Sequence, residues 1–101
     1  MSYTYLFHPL IREDFDEAYG WYEDQQKALG DRFIRAVRHT IEQIIYHPET
    51  YGSRSNKKFR EAKVVYFPYL VVYKINKHQR IIYISSIHHT KKHPRKKYRK
   101  E

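Results

Sequence analysis

The chain contains no cysteine, which excludes a disulfide framework, a thiolate metal centre and a cysteine nucleophile. It has only three glycines, and none stands in a glycine-rich phosphate loop or a serine nucleophile elbow. Carboxylate clusters of the kind that hold a metal ion are also missing, so neither metal nor cofactor is expected. No apolar run approaches the roughly 20 residues that cross a bilayer. The segment from Met1 to Phe7 is too short, and too soon followed by charge, to read as a signal peptide. The expectation is a soluble, cytoplasmic protein with no membrane partner.

What is present is aromatic and basic. Hydrophobic residues make up 41% of the 101 and aromatics 17%, with eleven tyrosines, enough for the core of one domain. The net charge of +9 is unevenly spread: residues 91–101 hold seven Lys or Arg against Glu101, whereas residues 1–90 hold thirteen against ten acids. The chain therefore divides into a folded part, 1–90, and a basic C-terminal tail, 91–101, belonging to the same domain. A concentrated positive field attracts phosphate backbones or acidic partners. Lys91, Arg95, Lys96, Lys97 and Arg99 are accordingly the candidate nucleic-acid-binding residues. With no apolar periodicity of its own, the tail is expected to be ordered only against a partner.

Tyr3 to Phe7 is β-branched and aromatic and stops at His8-Pro9, so it reads as a strand. Ile11, Phe15, Ala18 and Tyr22 then fall on one face of a helix spanning about 10–27, with Glu13, Asp14, Asp16 and Glu17 near its positive N-terminal end. Gly30 breaks the pattern, and Asp31 is placed to cap a second helix. Phe33, Val37, Ile41 and Ile44 line that helix, which ends near Tyr46 before His47-Pro48. Three apolar segments follow, Phe59 to Val65, Tyr69 to Ile75 and Arg80 to Ile87, joined closely enough to demand antiparallel hairpins. The order is β-α-α-β-β-β, an α+β fold with a helical hairpin packed on an antiparallel sheet of about four strands. Alternation leaves open whether Ile82, Ile84 and Ser86, or Tyr83, Ser85 and Ile87, face the core.

Several residues can carry chemistry. His89 and His93 stand at i, i+4, but they follow a strand, lie beside lysines and have no neighbouring cysteine or carboxylate. That pattern suits proton transfer or phosphate contact better than metal binding, and an ordinary surface histidine better still. Arg60, inside the second strand, is either an exposed sheet arginine or a phosphate clamp whose fork matches two oxygens. Phe67-Pro68-Tyr69 reads as a hydrophobic plug at the corner between strands, with base stacking the lesser alternative. Trp21, off the apolar stripe, is a core edge or a partner anchor. A basic sheet end bearing histidine and tyrosine suits metal-free RNA cleavage, because RNA supplies its own 2′-hydroxyl nucleophile.

The element order, together with Pro48 after the second helix, Arg60 entering the sheet, Phe67-Pro68-Tyr69-Leu70-Val71-Val72-Tyr73, and Ile82 to Ile87 leading into His89-Thr90-Lys91-Lys92-His93-Pro94, resembles the RelE/ParE superfamily of bacterial toxins. It looks most like the ParE-like branch often labelled plasmid stabilisation proteins. The resemblance implies the toxin of a type II toxin–antitoxin system, inhibiting growth and neutralised by a protein antitoxin. Its target is either DNA gyrase or ribosome-bound mRNA, since ParE-like members poison the first and RelE-like members cleave the second. If it is a metal-independent endoribonuclease, the resemblance makes Arg60, His89, Lys92 and Tyr98 the catalytic set: Arg60 and Lys92 hold the scissile phosphate while His89 or Tyr98 moves the proton. Lys92 stands where relatives usually have arginine, and Tyr98 near where many have tryptophan. The competing readings are a noncatalytic basic nucleic-acid-binding module and a degenerate toxin.

Overall fold

The computed structural model describes residues 3–52, 58–92 and 97–100. Strand β1 (Thr4–Phe7) leads into helices α1 (Ile11–Gln25) and α2 (Leu29–Tyr46), followed by β2 (Arg60–Lys63), β3 (Tyr69–Asn76) and β4 (Ile81–His89). The strands form one sheet in the order β1-β4-β3-β2. β2, β3 and β4 are antiparallel neighbours, as their short connections require. β1 departs from the expected antiparallel sheet by pairing parallel with β4, Thr4 opposite Ile81 and Phe7 opposite Ile84. The long crossover through the helical hairpin returns the chain in the direction that makes this pairing parallel.

The hairpin buries its stripes on one face of the sheet. Tyr22, Phe33, Val37, Ile41 and Ile44 are in the core with Val71, Tyr73, Ile82, Ile84 and Ile87, and Phe15 packs half-buried against it. β4 uses both of its possible faces in turn. Val72 pairs with Ser86 but Tyr73 pairs with Ile84, so Ser85 is an extra residue in the ladder. A bulge of this kind shifts the alternation by one. Ile82 and Ile84 thus face the helices before the bulge and Ile87 after it.

The turn between the helices is built differently from its sequence signal. Gly30 lies inside α2 rather than ending a helix, and it is buried. A Cβ there would stand 2.7 Å from Tyr19 Cδ2 and 2.8 Å from Glu23 Cγ, so glycine is needed for the close approach of α1. The break falls at Ala28, whose φ of 70° is left-handed. Asp31 sits in the first turn of α2 and makes no capping bond. Glu23 supplies the cap from the neighbouring helix, accepting from the N–H groups of Ala28 at 3.2 Å and Gly30 at 2.9 Å. This satisfies donors that the helix itself leaves open.

Beyond α2 the chain is tied back to the sheet. The hydroxyl of fully buried Tyr73 donates to the Pro48 carbonyl at 2.6 Å. Burial raises the Tyr73 phenol pKa well above its ordinary value, so the group remains a neutral donor. Tyr73→Phe leaves a buried carbonyl without its partner and is expected to lower unfolding stability by about 1–2 kcal/mol. Urea denaturation measures the loss; an unchanged midpoint would mean that this bond does not anchor the loop.

Candidate functional site

β1 ends opposite Ile84, which leaves the outer edge of β4 open beyond that point. Asp14, in the first turn of α1, reaches this edge and accepts from the Ile87 N–H at 3.0 Å. The same carboxylate receives the guanidinium fork of Arg99, with Nη1 and Nη2 each 2.8 Å from an oxygen. Both side chains are largely buried, at 10% and 14% exposure. Such a bidentate pair fixes orientation as well as charge.

Around that pair residues 97–100 lie as a strap on the sheet. Ser85 Oγ donates to the Arg99 carbonyl at 3.0 Å and accepts from the Arg99 N–H at 2.6 Å. Ser86 Oγ donates to the Lys97 carbonyl at 2.7 Å, and the Tyr83 hydroxyl to the Lys100 carbonyl at 3.1 Å. Lys97 Nζ pairs with Glu61 at 3.1 Å, the two side chains being 15% and 10% exposed. Burial works against the Lys97 charge, but hydrogen bonds to Glu61 and Tyr98 outweigh it and hold its pKa above the ordinary lysine value. The Tyr98 hydroxyl donates to Glu61, and its ring lies 5.3 Å from that of Phe59. The tail segment that was expected to need a partner for order thus has one in its own sheet.

Arg60, His89, Lys92 and Tyr98 do not converge. Arg60 points its Nη1 at the carbonyls of Tyr51, 2.6 Å away, and Glu49, 3.2 Å away, bracing the loop after α2. It alternates along β2 with Glu61, the partner of Tyr98, so Arg60 and Tyr98 belong to opposite faces of the sheet. His89 closes β4 opposite Tyr69, their ring centroids 5.0 Å apart, and its Nδ1 accepts from the Lys91 N–H at 3.0 Å. Burial and the charges of Lys92 and Lys91 hold the His89 pKa below its ordinary value. Lys92 forms an ion pair with Glu17 of α1.

His89 and Lys92 share a cavity of about 470 Å³ between α1 and the end of β4, also lined by Glu13, Asp14, Glu17, Tyr69, His88 and Arg99. Its α1 wall carries the carboxylates, and the cations facing them, Lys92 after β4 and Arg99 of the strap, are paired to Glu17 and Asp14. Burial pushes the Tyr69 phenol up to about 12, which disfavours it as a proton donor. Among the described residues no group of three metal-ligating side chains occurs.

Of the residues assigned to nucleic-acid contact, Lys97 and Arg99 are turned inward onto Glu61 and Asp14. Lys91 is exposed; Arg95 and Lys96 lie outside the described residues. Sequence reasoning missed Asp14, Glu61, Ser85 and Ser86. The acidic first turn of α1 was visible, but it pointed only to the helix dipole, not to a partner 85 residues away. Phe67-Pro68-Tyr69 is the plug it was read as: Phe67 packs on Tyr22 and Phe33 at 5.0 and 5.3 Å.

A helical hairpin on a mixed sheet, with a basic segment at the C-terminal end, defines the RelE/ParE-like class of small α+β proteins. The chain belongs to the ParE toxin family of type II toxin–antitoxin systems (parDE), whose family model matches residues 5–94. Among solved structures it is similar to a chain of the chromosomal ParDE toxin–antitoxin system of P. aeruginosa, with a TM-score of 0.75 at 11% identity, covering 88% of this chain and 97% of that one. It is also similar to a free-state mutant of the E. coli toxin RelE, with a TM-score of 0.67 at 14% identity, covering 90% and 86%. No curated protein matches the chain. Family membership implies a protein antitoxin as partner. No helix among the described residues is long and apolar enough to cross a membrane.

Buried His88 faces Lys97 and Asp14 and lies near Glu61; burial and then Lys97 hold its pKa below 6.5. A depressed folded pKa means that the unfolded chain binds the proton first. The contribution of His88 is therefore complete above pH 6.5 and is lost as pH falls through the folded value. Denaturant melts across this range are expected to show stability declining with acid in the wild type and a shallower decline in His88→Gln. Equal slopes would place the sensitivity elsewhere.

Proposed function

We propose that this toxin arrests growth by binding DNA gyrase and not by cutting RNA. The carrying observation is that His89 shares its cavity with Glu13, Asp14 and Glu17 while Arg60 and Tyr98 are engaged on opposite sheet faces. Metal-free cleavage of RNA needs a base, an acid and positive charge around one phosphate. Here Lys92 and Arg99, the cations that share the cavity with His89, are already engaged by Glu17 and Asp14, which leaves less positive charge free to stabilise a phosphate. A binding mechanism needs no such convergence, and the family match to ParE toxins favours gyrase among the targets known in the superfamily. The toxin acts in the cytoplasm and is silenced by its antitoxin. Lys91 and the remaining tail cations supply a field for a nucleic-acid-bearing target, in this reading the enzyme engaged with DNA.

Regulated expression is expected to arrest growth with broken DNA and intact RNA, and the purified chain to inhibit gyrase supercoiling. His89→Ala is expected to remain as toxic as the wild type. Mapped RNA 5′ ends at discrete sites, together with loss of toxicity in His89→Ala, would overturn the binding mechanism in favour of cleavage.

A further inference from the structure

The corner between β2 and β3 contains the most exposed aromatic among the described residues. The Val64 N–H donates to the Tyr69 carbonyl at 2.9 Å and closes a four-residue turn, Val65 to Pro68. Phe67 turns into the core, whereas Tyr66 is 96% exposed and its backbone φ is 70°. Left-handed backbone is disfavoured for a bulky side chain and readily adopted by glycine or asparagine. A ring so exposed returns no packing to offset that strain. Its place in the sequence therefore needs a reason outside the fold.

The surroundings indicate the partner. The Thr90 N–H donates to the Pro68 carbonyl at 2.9 Å, which brings Lys91 beside the corner. Lys63, at the end of β2, enters the same turn, and both lysines are exposed. Neither Lys63 nor Lys91 pairs with a carboxylate among the described residues, in contrast to Lys92 on Glu17. An unstacked aromatic face flanked by uncompensated cations is the arrangement that binds single-stranded nucleic acid: bases stack on the ring while ammonium groups hold phosphates. We infer that Tyr66 is a stacking anchor for an unpaired base, with Lys63 and Lys91 gripping the adjoining backbone. This interaction shares Lys91 with the proposed gyrase reading but rests neither on that assignment nor on His89.

The test uses the full chain and a fluorescein-labelled twelve-residue oligothymidylate, read by anisotropy at low and moderate salt. Tyr66→Gly is expected to weaken binding about tenfold, the loss of one stacked base, and to raise the melting temperature by about 4 °C through relief of the left-handed strain. Tyr66→Asn should show both effects in milder form, and Tyr66→Trp should keep wild-type affinity. Lys63→Ala with Lys91→Ala should flatten the salt dependence. Tyr66→Gly that binds as the wild type does, or a wild type without measurable affinity, would overturn the inference. Loss of cellular toxicity in Tyr66→Gly with oligonucleotide binding unchanged would also overturn it, and would point to a protein surface as the occupant.

Discussion

The meeting of Asp14, Arg99 and the Ile87 backbone at one carboxylate joins the two ends of this fold. β1 is only four residues long, so β4 outruns it and leaves a free edge that needs hydrogen-bond partners. Asp14 caps that edge from the first turn of α1, where its charge also complements the helix dipole. Arg99 then neutralises the carboxylate as it is buried. Removing either partner leaves a buried charge uncompensated, and such losses are large compared with those of surface pairs. The strap, the helical hairpin and the last strand thus meet at one electrostatic contact, supplemented on the strap by the serine hydroxyls of the bulge and by the Lys97–Glu61 pair.

That contact changes what the basic tail can do. On charge alone, residues 91–101 look like a grip for polyanions, yet Lys97 and Arg99 complete internal ion pairs. The tail is partly structural, and among its described cations Lys91 and Lys100 are exposed. The same logic divides the residues gathered under a nuclease reading. Arg60 braces the loop after α2, Tyr98 packs against Phe59 behind the sheet, and His89 packs on Tyr69 at the end of β4. A shared fold does not by itself carry a shared chemistry.

Much of the architecture was legible because it rests on periodicity. The stripes Ile11-Ala18-Tyr22 and Phe33-Val37-Ile41-Ile44 go to the core as their spacing requires, and short connections force the last three strands into hairpins. What was not legible depends on contacts distant in sequence or on single-residue irregularities. The bulge at Ser85 defeats simple alternation in β4. Gly30 carries the usual mark of a helix break but marks a close approach to Tyr19. The parallel pairing of β1 follows from the direction of a crossover and not from the strand itself. For the site, residue types were visible but orientation was not: Arg60 and Glu61 are neighbours in sequence and face opposite sides of the sheet.

The C-terminal strap is tied to the rest of the fold because Arg99 is held by Asp14. A double-mutant cycle measures this directly, comparing the unfolding free energies of the wild type, Asp14→Ala, Arg99→Ala and the double variant in urea. A coupling energy of about 2 kcal/mol is expected, because each single change strands a buried charge that the double variant does not contain. A coupling near zero, with each variant unfolding at the wild-type midpoint, would contradict it and return the tail to the status of a solvated extension.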